Sequence, residues 1–214
     1  GNPFVTPDVT DETLSRQREV AVSRFQAELR RLSGVLSQDG ERIEVGEAFA
    51  ASLDEDRERL PGVAGVATER YPDEPYRQKL YLMGERLDRV DDVRPGGYDD
   101  ASELEDDLDL LVASLRANDA EAVAEAAVDP VRRQVDAFGF TLAALDLRDH
   151  RERHTETVDE VLAREGVEYR SLSEAERQEL LTEAMLADEP VVDVGDVDGV
   201  SDTAAEVLAR FDGL

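Results

Sequence analysis

The sequence predicts a mainly α protein with one buried strand, and three features carry that prediction. Apolar residues recur at spacings of three and four through most of the chain, helix-start signals precede several of those stripes, and a single low-charge apolar run, Phe140 to Leu147, breaks the helical period.

The first helix is expected to open near Pro7, with Thr6 as its cap and proline at the first helical position. Ala21, Phe25, Leu29, Leu32 and Leu36 then share one face. Ser37 to Gly46 breaks the pattern, a shorter helix covers about Glu47 to Leu60, and Pro61-Gly62 with Gly65 predicts a loop reaching to about Asp73. Tyr76, Leu80, Met83, Leu87 and Val90 define a helix over about Glu74 to Val90, which Pro95-Gly96-Gly97 closes. Ser102 and Glu105 read as a capping box for a helix whose apolar face is Leu104, Leu108, Leu111, Val112 and Leu115. Asp129-Pro130 opens a short helix that turns Val131, Val135 and Phe138 inward, and Gly139 stops it. The strand comes next, followed by helices at about Arg151 to Arg164, Ser173 to Ala187 (capping box Ser173 and Glu176) and Ser201 to Phe211; Val191 to Val200 reads as an exposed link.

The charge is unusual: 52 Asp and Glu face 24 Lys and Arg, for a formal charge of -28. Such a field repels nucleic-acid phosphates and anionic lipid, so neither is an expected partner. Disorder driven by like charge is set aside by the apolar periodicity. The expected explanation is a surface adapted to concentrated salt, because at 1 M ionic strength the screening length falls to about 3 Å. The cations fit that reading, since Lys79 is the only lysine and all the others are arginine. Without cysteine there is no disulfide or thiolate chemistry, and no apolar run is long enough to span a bilayer. The start, Gly1-Asn2-Pro3-Phe4, lacks an initiator Met and a signal pattern and reads as a cut end.

Few residues suggest chemistry. His150 and His154 share a helix face but lack the intervening glutamate of a zinc-protease motif, so packing or capping beside Val158 and Val161 is the favoured reading of His154. Asp146 and Arg148, two apart on the expected strand, point to the same face near its C-terminal end. They form either a buried ion pair or a support for an anion or metal site at a strand mouth. Gly62-Val63-Ala64-Gly65 and Gly96-Gly97 lack the Lys-Ser/Thr tail of a phosphate loop and read as turns. Asp54-Glu55-Asp56 and Glu105-Asp106-Asp107 lack calcium-loop spacing and read as solvated helix faces. Nothing forms a nucleophile elbow.

Four stretches, in order, resemble phosphoenolpyruvate carboxylase. Gly1-Asn2-Pro3-Phe4-Val5-Thr6 is similar to the tail of the family's Gly-Gly-Asp-Arg-Asp-Gly-Asn-Pro-x-Val-Thr motif, and Glu74-Pro75-Tyr76-Arg77, with Leu87 further on, resembles a family helix start. Phe138-Gly139-Phe140 through Leu145-Asp146-Leu147-Arg148, with His154 beyond, resembles the family's Phe-Gly…Leu-Asp-Ile-Arg-Gln…His signature. Tyr169, Ser173-Glu174, Arg177 and Leu180-Leu181 match the pattern that trails it. Asp149 replaces the usual Gln, and Arg151 the usual Ser.

The resemblance implies a cytoplasmic lyase of carbon dioxide fixation. It would join phosphoenolpyruvate to bicarbonate with Mg or Mn, giving phosphate and oxaloacetate for the tricarboxylic acid cycle. It further implies a larger TIM-like α/β barrel assembled as a homotetramer. This chain would be one internal segment of it: 1–139 helical scaffold, 140–148 a barrel strand, 149–214 the helices that follow. The principal catalytic groups would lie outside the segment, leaving it inactive alone, with Asp146, Arg148 and Asn2 as supporting candidates and no cofactor or metal ligand within it. An autonomous acidic helical interaction module and an acidic cation-buffering protein are the competing readings.

Overall fold

The computed structural model describes residues 6–143, 150–187 and 199–212, and they are mainly helical. The chain divides into two compact units, residues 14–144 and residues 1–13 with 145–214.

Helix α1 (Pro7–Val35) is one long helix, of which residues 14–35 belong to the larger unit. Its start lies at Thr6, whose hydroxyl accepts the Val9 amide at 3.4 Å. The expected stripe Ala21, Phe25, Leu29, Leu32 and Leu36 is buried. The same core takes in α2 (Glu47–Arg59), α4 (Pro75–Leu87) and α5 (Ala101–Ala117), which pack on one another and contribute Phe49, Leu53, Tyr76, Leu80, Met83, Leu87 and the predicted α5 face. Phe49 meets Tyr76 edge to face at 5.4 Å, and the Tyr76 hydroxyl is satisfied by Ser114 Oγ at 2.9 Å.

Several local expectations change. Residues 61–70, read as a loop, form helix α3 (Pro61–Arg70). Proline at a helix start costs nothing because that N–H has no partner within the helix. Gly62 and Gly65 have open space where a side chain would stand, so no turn demands them, and the buried Ala67 anchors the helix. True turn glycines lie at Gly96, with φ +92°, and at Gly97, where a Cβ would come within 2.4 Å of the Arg89 carbonyl oxygen.

The cap of α5 is Asp100 rather than Ser102: its carboxylate accepts the Ser102 amide at 2.8 Å and the Glu103 amide at 3.4 Å. The bond from the Ser102 hydroxyl, followed by that from the Ser102 amide, holds the Asp100 carboxyl below the usual aspartate range. A lowered folded pKa means that this stabilisation is complete above the ordinary aspartate pKa and is lost as pH falls through the lower, folded value. Asp100→Asn keeps a capping oxygen but does not titrate. Acid titration followed by circular dichroism is expected to show a shallower loss of helix below about pH 4 in the variant.

A single turn, α6 (Glu121–Val123), leads into a π-helical turn at Ala124–Val128 and then α7 (Asp129–Phe138). Val131 and Val135 are buried as expected, but Phe138 is 49% exposed. Gly139, at φ +52°, reverses the chain directly after it, and Phe140 takes the interior place beside Phe25 at 6.3 Å.

The strand expected at Phe140 to Leu147 is not seen where it can be followed. Residues 140–143 form turns, with the Leu142 amide bonded to the Phe138 carbonyl at 3.1 Å, and 144–149 lie outside the described residues. Among the described residues no strand is present to pair with it, and a lone strand leaves its backbone groups without partners.

The smaller unit contains α8 (Arg151–Arg164), a 3₁₀ turn at Tyr169–Ser171, α9 (Glu174–Leu186) and α10 (Asp202–Asp212). Helices α8 and α10 pack through Val161, Leu162, Ala204, Val207 and Leu208, and Arg153 pairs with Glu206 at 2.6 Å. The predicted capping box at Ser173 and Glu176 is present. The expected link at Val191 to Val200 lies almost wholly outside the described residues.

Candidate functional site: a buried ionic cluster

The most concentrated chemistry in the described residues is internal to the larger unit. Three helices build it by same-face spacing: Ser52 and Asp56 one turn apart on α2, Lys79 and Arg86 two turns apart on α4, Glu103 and Asp107 one turn apart on α5. Tyr98, just before α5, closes it.

The Lys79 side chain is 0% exposed. Its Nζ lies 2.6 Å from Asp56 Oδ2, 2.5 Å from Asp107 Oδ1 and 2.7 Å from Ser52 Oγ, so the three ammonium protons face three acceptors. Arg86 Nη1 bridges Asp56 Oδ1 and Asp107 Oδ2 at 3.2 Å each, and Nη2 donates to Glu103 at 2.6 Å. The guanidinium lies over the Tyr98 ring, 3.8 Å from its centre, while the Tyr98 hydroxyl donates to Asp107 Oδ2 at 2.7 Å. Arg86 Nε is the one cluster nitrogen left without a partner among the described residues.

Two buried cations thus face two buried aspartates, and Glu103 at the rim also approaches Arg59 at 3.9 Å. Burial pushes the Asp56 carboxyl above its ordinary range, against the opposing pull of Lys79. Burial, then the Asp107 charge, drives Tyr98 well above the usual tyrosine value. Because the folded pKa of Asp56 is raised, its contribution to stability falls as pH rises above the ordinary aspartate pKa and is not lost in acid. Acid sensitivity therefore rests on lowered carboxyls such as Asp100 and Glu176.

The chemistry available to this arrangement is cohesion rather than turnover. Lys79 is saturated with acceptors and its side chain is inaccessible, so it offers neither a nucleophile nor a base to a substrate. The carboxylates are occupied by Lys79 and Arg86, and among the described residues no three His, Cys, Asp or Glu are grouped to hold a metal.

The cluster corrects the reading of both acidic runs. Asp54, Glu55 and Asp106 are solvated, but Asp56 and Asp107 are the buried members. In the sequence Lys79 stands out as the one lysine, and its place three after Tyr76 and four before Met83, on an apolar stripe, is the readable signal of burial. The Lys79 ammonium meets two carboxylates and a hydroxyl at one point, while the longer Arg86 fork spans the same two aspartates and reaches Glu103.

Of the sequence-predicted site residues, Asn2, Asp146 and Arg148 lie outside the described residues. His150 and His154 stand at the start of α8, with His154 partly buried. A cleft of about 440 Å³ between α8 and α10 is lined by Glu156, Asp159 and Glu160, but the last two are engaged by the Arg170 amide and by Ser201. No described helix is long and apolar enough to cross a membrane.

The family profile described as phosphoenolpyruvate carboxylase matches residues 1–214. A phosphoenolpyruvate carboxylase of Roseiflexus castenholzii is 36% identical over 227 residues, covering 99% of this chain and 24% of that protein. Those of Xanthomonas oryzae pv. oryzae and Aromatoleum aromaticum are 37% and 34% identical, covering 76% and 89% of this chain and 18% and 22% of their own lengths. The chain thus spans about a quarter or less of the curated relatives it matches. Residues 1–214 belong to the phosphoenolpyruvate carboxylase family.

Proposed function

We propose that this chain is an internal helical part of a phosphoenolpyruvate carboxylase and works as scaffold within a longer polypeptide. In that polypeptide, phosphoenolpyruvate and bicarbonate become oxaloacetate and phosphate. The carrying observation is a family match along all of 1–214 alongside a relative of which the chain covers only 24%. The buried cluster supports the scaffold role: its charges are balanced within the protein and its helices are locked to one another.

The divalent Mg or Mn, the arginines that stabilise the enolate and the phosphoryl charge, the TIM-like barrel and the tetrameric assembly belong in this reading to the complete cytoplasmic enzyme. Asn2, Asp146 and Arg148 are assigned supporting places near its active site, on the motif resemblance alone. The test is oxaloacetate formation with bicarbonate and Mg in molar KCl. The complete gene product is expected to be active and residues 1–214 alone inactive; turnover by the isolated chain would defeat the scaffold reading.

The salt-adapted reading is also carried forward as a proposal. It is supported by a net charge of -28 and by exposed carboxylates such as Asp54, Glu55 and Asp106. Circular dichroism is expected to show helix content rising with KCl as screening relieves surface repulsion. A flat response across the titration would count against it.

A further inference from the structure

Helix α9 is stabilised only on its polar side. The Ser173–Glu176 capping box fixes its start, and Arg177 donates to the Tyr169 carbonyl at 3.0 Å and the Arg170 carbonyl at 2.7 Å while stacking on the Tyr169 ring. Its apolar residues do not share in this, because none of its side chains is buried. Leu180, Leu181, Ala184 and Met185 fall on one helical stripe, and Leu186 follows at the end. Met185 is 85% exposed, Leu186 80% and Leu181 39%. The other large exposed apolar side chains, such as Val20, Val66 and Val93, are scattered singly and need no explanation. A grouped set on one helix does. Leu180 and Ala184 are half-buried and no side chain of this 13-residue helix is fully buried, which leaves it marginal in water, so the exposed part of the face is built to be covered.

We propose that the Leu181–Leu186 face of α9 is a docking surface for the remainder of the carboxylase polypeptide, an inference that rests on the reading of this chain as part of a longer enzyme. One observation points to that occupant rather than a second copy of this chain. A relative matched along 99% of the chain is about four times as long, so ample polypeptide exists to lie there. An apolar surface tethered in the same polypeptide meets this face at high effective concentration.

The absence of cysteine supplies the test. Met185→Cys is placed in residues 1–214 and in the complete gene product, and maleimide labelling of that peptide is followed by mass spectrometry in molar KCl. The thiol is expected to react rapidly in the shorter chain at every protein concentration, and at least tenfold more slowly in the complete product. Equal reactivity in both overturns the proposal. Protection in the shorter chain that grows with its concentration overturns it in favour of a second copy. Carboxylase activity is measured on the same complete product, so protection without activity faults the functional reading and leaves the docking face standing, whereas activity without protection does the reverse.

Discussion

Lys79→Met is expected to destabilise the larger unit by about 3–5 kcal/mol, the usual cost of stranding a buried charge by removing its partner. The loss leaves Asp56 and Asp107, both buried, with only Arg86 between them. Such a cost is a large part of the roughly 5–15 kcal/mol that stabilises an ordinary domain. It corresponds to a fall in melting midpoint on the order of 10 °C for a chain of this size. Near-ultraviolet circular dichroism suits the measurement, since the protein has no Trp and four of its five tyrosines, Tyr71, Tyr76, Tyr81 and Tyr98, lie in residues 14–144. Asp56→Asn in the Lys79→Met background should recover part of the loss. The double-mutant cycle is expected to give a coupling energy of about 1–3 kcal/mol. Additive effects would mean that the two side chains do not interact as the 2.6 Å separation implies.

Phe49→Ala is expected to cost a similar amount, about 3–5 kcal/mol, by a different route. Phe49 is buried where α2 meets α4, edge to face with Tyr76, and the larger unit loses both the transfer energy of the ring and the contacts that surrounded it. Phe49→Leu keeps most of the volume and should cost under about 1.5 kcal/mol. The contrast between the two, read in urea denaturation, separates a cavity effect from a general intolerance of substitution. Equal losses would show that the aromatic contact, not the space, dominates.

What could be read from the sequence followed periodicity. Stripes such as Phe25-Leu29-Leu32-Leu36 and Leu104-Leu108-Leu111-Leu115 report the face a helix buries, and every one of those residues is buried. Composition-based punctuation misled at residues 61–70, because Pro-Gly is as compatible with a helix start as with a loop, and only the burial of Ala67 decides. Phe138 and Phe140 could not be told apart by spacing, since a left-handed glycine between them determines which ring turns inward. The ionic cluster was hidden for a related reason. Within Asp54-Glu55-Asp56 and Glu105-Asp106-Asp107 the residues are alike in kind, and only the helix phase relative to Leu53, Leu104 and Leu111 shows that Asp56 and Asp107 face inward.

In the proposed carboxylase the cluster around Lys79 and Arg86 is expected to hold helices together and take no part in turnover. Its most direct test is Asp107→Asn in the complete gene product, assayed for oxaloacetate formation in molar KCl well below the unfolding transition, with the folded fraction measured alongside. The expected result is a lower melting midpoint with kcat and KM per folded molecule within about twofold of the parent. A fall in kcat of a hundredfold or more with the melting midpoint unchanged would contradict it.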